Sequence, residues 1–304
     1  MPWLEDKKAT TVAGQPTGDT TESGNPTHNA DGTFGSDGMK KNEQIKSINN
    51  NFQEFIDTFD SEEDFGLDDF DLDSYEEYKN IEEMSNAERA VEIKSHRNFL
   101  SNYFDLSEFG TYAFNGDLRL QCSNFRQLKM LVEKYPFETI GKPKLQMNGR
   151  LSRANARTCL SRFNNKMFVR FIDFNSSDFQ TYEKIKYKIY QDTTNNWAMP
   201  CSKDNYSNYS LSHEYGHLLT AEIMNRKGVS TFEISAFESK IVREIINIYE
   251  EQNNYSSNYR LDISAYGKSS PAEFFAECFA NLNCGKPNPL GKALETWLKQ
   301  YGGY

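Results

Sequence analysis

Residues 211–220 read Leu-Ser-His-Glu-Tyr-Gly-His-Leu-Leu-Thr, and this stretch limits what the chain can become. His213 and His217 stand four apart, so a helix places them on one face, one above the other. No proline interrupts Leu211–Met224, and Leu218 and Leu219 extend an apolar face, so the spacing predicts a helix there. Glu214 follows the first histidine directly. In the H-E-x-x-H arrangement two imidazoles hold zinc and the glutamate works on a water that the metal activates. The competing reading is an ordinary amphipathic helix whose histidines pack against a polar layer. Scarcity weighs against it: the chain has four histidines, His28, His96, His213 and His217, and half of them fall in this one motif.

A zinc on two histidines needs a third protein ligand, often a carboxylate, and a position left open. The stretch Ser264-Ala265-Tyr266-Gly267-Lys268-Ser269-Ser270-Pro271-Ala272-Glu273-Phe274-Phe275-Ala276-Glu277-Cys278-Phe279-Ala280 offers one. Ser269 or Ser270 can cap a helix whose first turn takes Pro271. Glu273 and Glu277 then share a face. Phe274, Phe275, Phe279 and Leu282 make this helix apolar around much of its circumference, so two carboxylates on it need a cation or hydrogen-bond donors. An ordinary helix-face glutamate is the alternative for Glu273, and a packing tyrosine is the alternative for Tyr266.

The two stretches together resemble the catalytic domain of anthrax lethal factor and its phage-encoded relatives, zincins of the gluzincin type. The similarity covers roughly residues 208–285, with a strand expected at Met167–Phe174 in the matching order. The resemblance implies His213, His217 and Glu273 as zinc ligands and Glu214 as general base. It further implies Tyr266 as a donor to the developing oxyanion and Glu277 as the carboxylate that orients a ligand histidine. This chain departs from the family in the longer interval of 55 residues between His217 and Glu273, and in an unrelated N-terminal half.

Composition places the rest. Mean hydropathy is −0.76 with 37% hydrophobic residues, low for a wholly folded chain of 304 residues, so part of it is expected to be disordered. The Gly-, Thr-, Asp- and Asn-rich residues 1–45 fit that description. Within them, Ser23–Phe34 resembles a short tag of some bacteriophage head-associated proteins. Residues 46–109 form an acidic, partly helical region. From Asp57 to Glu83 thirteen acidic residues face Lys79 alone, a net of −12; the chain total is −10, so the remainder carries +2. This run reads either as a solvated extended segment or as a docking or masking segment anchored by Phe59, Phe65 and Phe70. Ser85 and Glu88 form a capping box for a helix, in which His96 is expected at the surface or near a cap.

Residues 110–304 are expected to form one α+β domain of the zincin type, with a small mixed sheet packed on the helices that carry the motifs. Helices are expected at Phe125–Tyr135, Leu151–Leu160, Phe179–Tyr190 and 232–252, and an edge strand near Asn195–Pro200. The five cysteines include no C-x-x-C pair and suggest reduced thiols. Net charge of −10 argues against nucleic acid as a partner. No secretory signal or membrane-spanning segment is expected. The function these readings imply is a zinc-dependent endopeptidase acting on a protein or peptide substrate, made in a bacterial cytoplasm and associated with a phage particle. Two alternatives stand beside it: a phage head structural or interaction protein that keeps the zincin fold and contacts other phage structural proteins, and a toxin or effector protease.

Overall fold

The computed structural model describes residues 79–109, 113–151, 154–255, 257–285 and 287–304. The expected tail at 1–45 and most of the acidic run lie outside the described residues. The described part belongs to one compact unit that spans Asp71–Tyr304.

Helix α1 (Asn86–Leu100) starts at the expected capping box: Ser85 accepts from the Glu88 amide, and Glu88 accepts from the Ser85 amide. It packs on α2 (Leu118–Lys134), so both contribute to one core. Helix α2 begins a full two turns before the expected Phe125 because Asp117 caps it, accepting from the Arg119 and Leu120 amides.

Three strands follow: β1 (Lys144–Asn148), β2 (Ala156–Phe163) and β3 (Lys166–Asn175), in sheet order β1-β3-β2. β1 runs parallel to β3, and β2 antiparallel to it. The helix expected at Leu151–Leu160 is therefore a correction: its second half, from Ala156, is β2. The missed signal is Asn164-Asn165, where both residues take positive φ (48° and 58°). Two such residues close a hairpin whose twist matches the strands on either side. The edge strand expected at Asn195–Pro200 is also absent. Its residues form turns and bends after α3 (Tyr182–Thr194), and β2 is the sheet edge on this side.

Helix α4 (Tyr209–Arg226) carries the histidine motif and is buried around nearly its whole circumference, as a helix through the centre of a domain must be. The sheet lies along one side of it and α7 (Pro271–Asn283) along another. The α4–α7 approach depends on Gly216: a Cβ there would sit 2.9 Å from the Ala276 Cα. Helix α5 (Ile234–Gln252) buries Ile234, Ile241, Ile245 and Tyr249, an i, i+4 stripe that closes the far side together with α8 (Pro289–Trp297). A single turn, α6 (Tyr259–Asp262), leads into the segment before α7. The architecture is thus mixed α+β, with a small three-stranded sheet against helices. Among the described residues no helix is long and apolar enough to cross a membrane.

Candidate metal centre

The central position of α4 brings His213 and His217 against the first turns of α7. Ser270 caps α7 by accepting from the Glu273 amide at 3.2 Å, and Pro271 occupies its first turn. This start fixes Glu273 one turn into the helix and Glu277 two turns in. Three ligand-type atoms converge: His213 Nε2 lies 2.9 Å from Glu273 Oε2, His217 Nε2 lies 3.3 Å from the same oxygen, and the two Nε2 atoms are 3.2 Å apart. His213, His217 and Glu273 form a group that could hold a metal ion.

The triangle can be tested against a specific ion. With metal–ligand bonds of ~2.0–2.2 Å, the edge of a tetrahedron is roughly 3.3–3.6 Å. Two of the three observed edges fall within about a tenth of an ångström of that range, and the third, at 2.9 Å, is shorter by about 0.4 Å. Charge points the same way. Glu214, Glu273 and Glu277 bring three carboxylates against two imidazoles, with no lysine or arginine in ion-pair contact with any of the three among the described residues. Burial disfavours a charged His213, yet its hydrogen bonds to Glu273 and Glu277 outweigh that and lift its pKa to about 10. Burial would likewise raise Glu273, but His213 and His217 hold it well below the carboxylate range. A divalent cation satisfies such an excess of negative charge, and two nitrogens with one oxygen suit zinc.

Around the triangle stand the other residues singled out from the sequence. Glu214 is 6% exposed, and its side chain takes no hydrogen bond or ion pair from the described residues. Its backbone carbonyl accepts from Thr158 Oγ1 of β2, which ties the sheet edge to the motif. A cavity of about 390 Å³ opens on His213, Glu214 and Tyr266, with Asn155, Asp178 and Trp197 farther along its wall. The Tyr266 ring stacks on the His213 imidazole at 5.6 Å, and the Trp197 ring stacks on Tyr266 at 5.4 Å. Burial and then the neighbouring Glu273 charge push the Tyr266 phenol above its ordinary pKa, so it stays protonated and able to donate. Glu277 Oε1 lies 2.9 Å from His213 Nδ1, and its other oxygen accepts from the Met199 amide, the Tyr209 hydroxyl and the Ser264 hydroxyl.

Tyr209, Ser264 and Trp197 were not singled out from the sequence as site residues. Tyr209 carried a usable signal, since it lies four residues before His213 on the same helix face. Tyr215, next to the motif, is packing: it is fully buried, and its hydroxyl donates to the Tyr135 carbonyl at 2.7 Å. His96 is a correction. It is not at the surface but 4% exposed, bonded to Glu92 Oε1 at 2.9 Å. The chain matches no protein-family model, no curated protein and no solved structure.

Proposed function

We propose that this chain is a zinc-dependent endopeptidase of the zincin type, hydrolysing peptide bonds of a protein substrate. One observation carries the proposal: two imidazole nitrogens and one carboxylate oxygen meet in a triangle of 2.9–3.3 Å, beside a buried, unengaged Glu214 at the wall of an open cavity. A structural metal site closes its fourth position with another side chain, whereas a catalytic one leaves that position to water or substrate. His213, His217 and Glu273 would hold the ion. When bound, zinc supplies Lewis acidity, lowering the pKa of a water from ~15.7 toward ~7 and polarising a carbonyl.

The chain's own residues do the rest. Glu214 takes a proton as water oxygen adds to the scissile carbonyl carbon, and returns it to the amine nitrogen as the carbon–nitrogen bond breaks. Nothing else among the described side chains competes for its carboxylate. Tyr266 donates a hydrogen bond from its hydroxyl to the carbonyl oxygen as negative charge grows there; one such donor is typically worth ~2.7–4 kcal/mol. Its stacking against both His213 and Trp197 restricts where the phenol can point. Glu277 accepts from His213 Nδ1, which would leave the Nε2 lone pair to the ion once that nitrogen gives up its proton.

The test combines metal analysis with cleavage profiling of a proteome-derived peptide library. Wild type should hold one zinc per chain and cleave. Glu214→Gln should hold the same zinc and cleave ~10²–10⁴-fold more slowly. Full activity in that variant would overturn the mechanism.

A further inference from the structure

Ser264 lies two residues before Tyr266 in the segment between α6 and α7, and it is 1% exposed. Its hydroxyl works in two directions. It donates to Glu277 Oε2 at 2.6 Å, the shortest of the bonds that carboxylate receives, and it accepts from the Gly267 amide at 3.0 Å. The second bond closes a tight turn around Tyr266. A Cβ at Gly267 would meet Ile263 Cδ1 at 2.6 Å and Ser264 Oγ at 3.2 Å, so the turn has no slack. The Ala265 and Tyr266 amides also bond to the carbonyls of Asn196 and Trp197, at 2.8 and 3.2 Å. Those bonds tie the turn to the 196–197 segment. Among the described residues, only the Ser264 hydroxyl bonds it directly to the carboxylate that orients His213.

We infer that Ser264 is a positioning residue whose single hydroxyl holds both the Glu277 carboxylate behind His213 and the turn that presents Tyr266, so that metal affinity and phenol placement are set together. The inference rests on the metallopeptidase reading, and it separates Ser264 from Tyr209. The Tyr209 hydroxyl also donates to Glu277 Oε2, at 3.0 Å, and accepts from the Met199 amide at 2.9 Å, but makes no direct bond to residues 264–267. Loss of the Tyr209 hydroxyl should therefore weaken metal binding with little direct effect on the turn, whereas loss of the Ser264 hydroxyl should weaken binding and also displace Tyr266. Neither residue touches the reacting atoms.

The experiment uses the full chain and reads zinc affinity by competition with a chromophoric chelator. Ser264→Ala and Tyr209→Phe should each bind zinc ~10-fold more weakly, the lower end for partners beyond the ligands. In a Glu277→Gln background, Ser264→Ala should change zinc affinity no further, because its effect passes through that carboxylate. At saturating zinc, Tyr209→Phe should lose less kcat than Ser264→Ala. Ser264→Ala should remain ~10-fold low in kcat with KM unchanged, and should add nothing in a Tyr266→Phe background. An unchanged zinc affinity in Ser264→Ala, or an equal kcat loss with and without the Tyr266 hydroxyl, overturns the inference. If the alanine variant does not fold, Ser264→Cys keeps nearly the same volume with a much weaker donor and serves the same comparisons. Zinc binding that responds as expected in a protein that cleaves nothing would sink the peptidase reading and leave the Glu277 link standing. A wild type that binds no zinc overturns both.

Discussion

Two helices of this protein carry a histidine one turn from a second chelating side chain, and they end in opposite chemistry. On α1, His96 sits four residues after Glu92 and bonds to it; Arg126 of α2 donates to the same carboxylate, with Nη2 2.7 Å from Oε2. On α4, His213 and His217 have the same spacing, and their neighbours are Glu273 and Glu277. Both histidine clusters are largely buried and both join two helices. In the first, the guanidinium cancels the carboxylate, and the cluster is closed. In the second, carboxylates outnumber cations, and a cavity opens at its edge. A buried polar group becomes a site when its charges do not close on themselves and something from outside can reach it.

The sharpest way to break this comparison is to delete a histidine from each cluster. His213→Ala should lower zinc affinity by more than the ~10–100-fold typical of outer partners, while His96→Ala should leave it unchanged, measured by chelator competition. Stability should show the reverse emphasis. Glu92→Ala leaves Arg126 without its carboxylate in a half-buried setting, and should cost up to about 3 kcal/mol in denaturant unfolding without changing zinc stoichiometry. Gly216→Ala tests the packing that brings the second cluster together. Its Cβ must push α4 and α7 apart, at ~1–3 kcal/mol by thermal unfolding, and zinc affinity should fall with it.

The smallest expected effect is on pH dependence. Burial holds His96 below the ordinary imidazole value; Glu92 counters this, and the Lys129 and Arg126 charges add to it. The unfolded chain therefore binds the His96 proton more readily than the folded one. Its contribution to stability is full above the unfolded pKa of ~6.5 and is lost as pH falls through the folded value. In metal-free protein, wild type should lose more stability than His96→Gln as pH falls from 7 to 5, and the difference between the two isolates the His96 contribution.

Much of this was legible in the chain, for reasons that differ by element. Helices α4, α5 and α7 announce themselves because local rules agree: apolar spacing, a Ser270 cap and Pro271 in the first turn. The membership of Glu273 in the triangle was legible as well, because a carboxylate on so apolar a helix needs a counter-charge. β2 was misread as a helix because Arg157, Ser161 and Arg162 dilute its alternation and only the Asn164-Asn165 turn marks it. His96 was misplaced because a helical face says nothing about what covers it.

By itself, then, the sequence determined which side chains share a helix face, since a 3.6-residue repeat is a local property. It also determined that α7 carries carboxylates in need of a partner. Tertiary structure alone decided that α4 and α7 meet at Gly216 and Ala276, and that Ser264 reaches Glu277 across thirteen residues. It alone decided that Arg126 closes one histidine cluster and leaves the other open. Convergence between distant segments depends on the volume and direction of everything packed between them, and no local spacing encodes that sum.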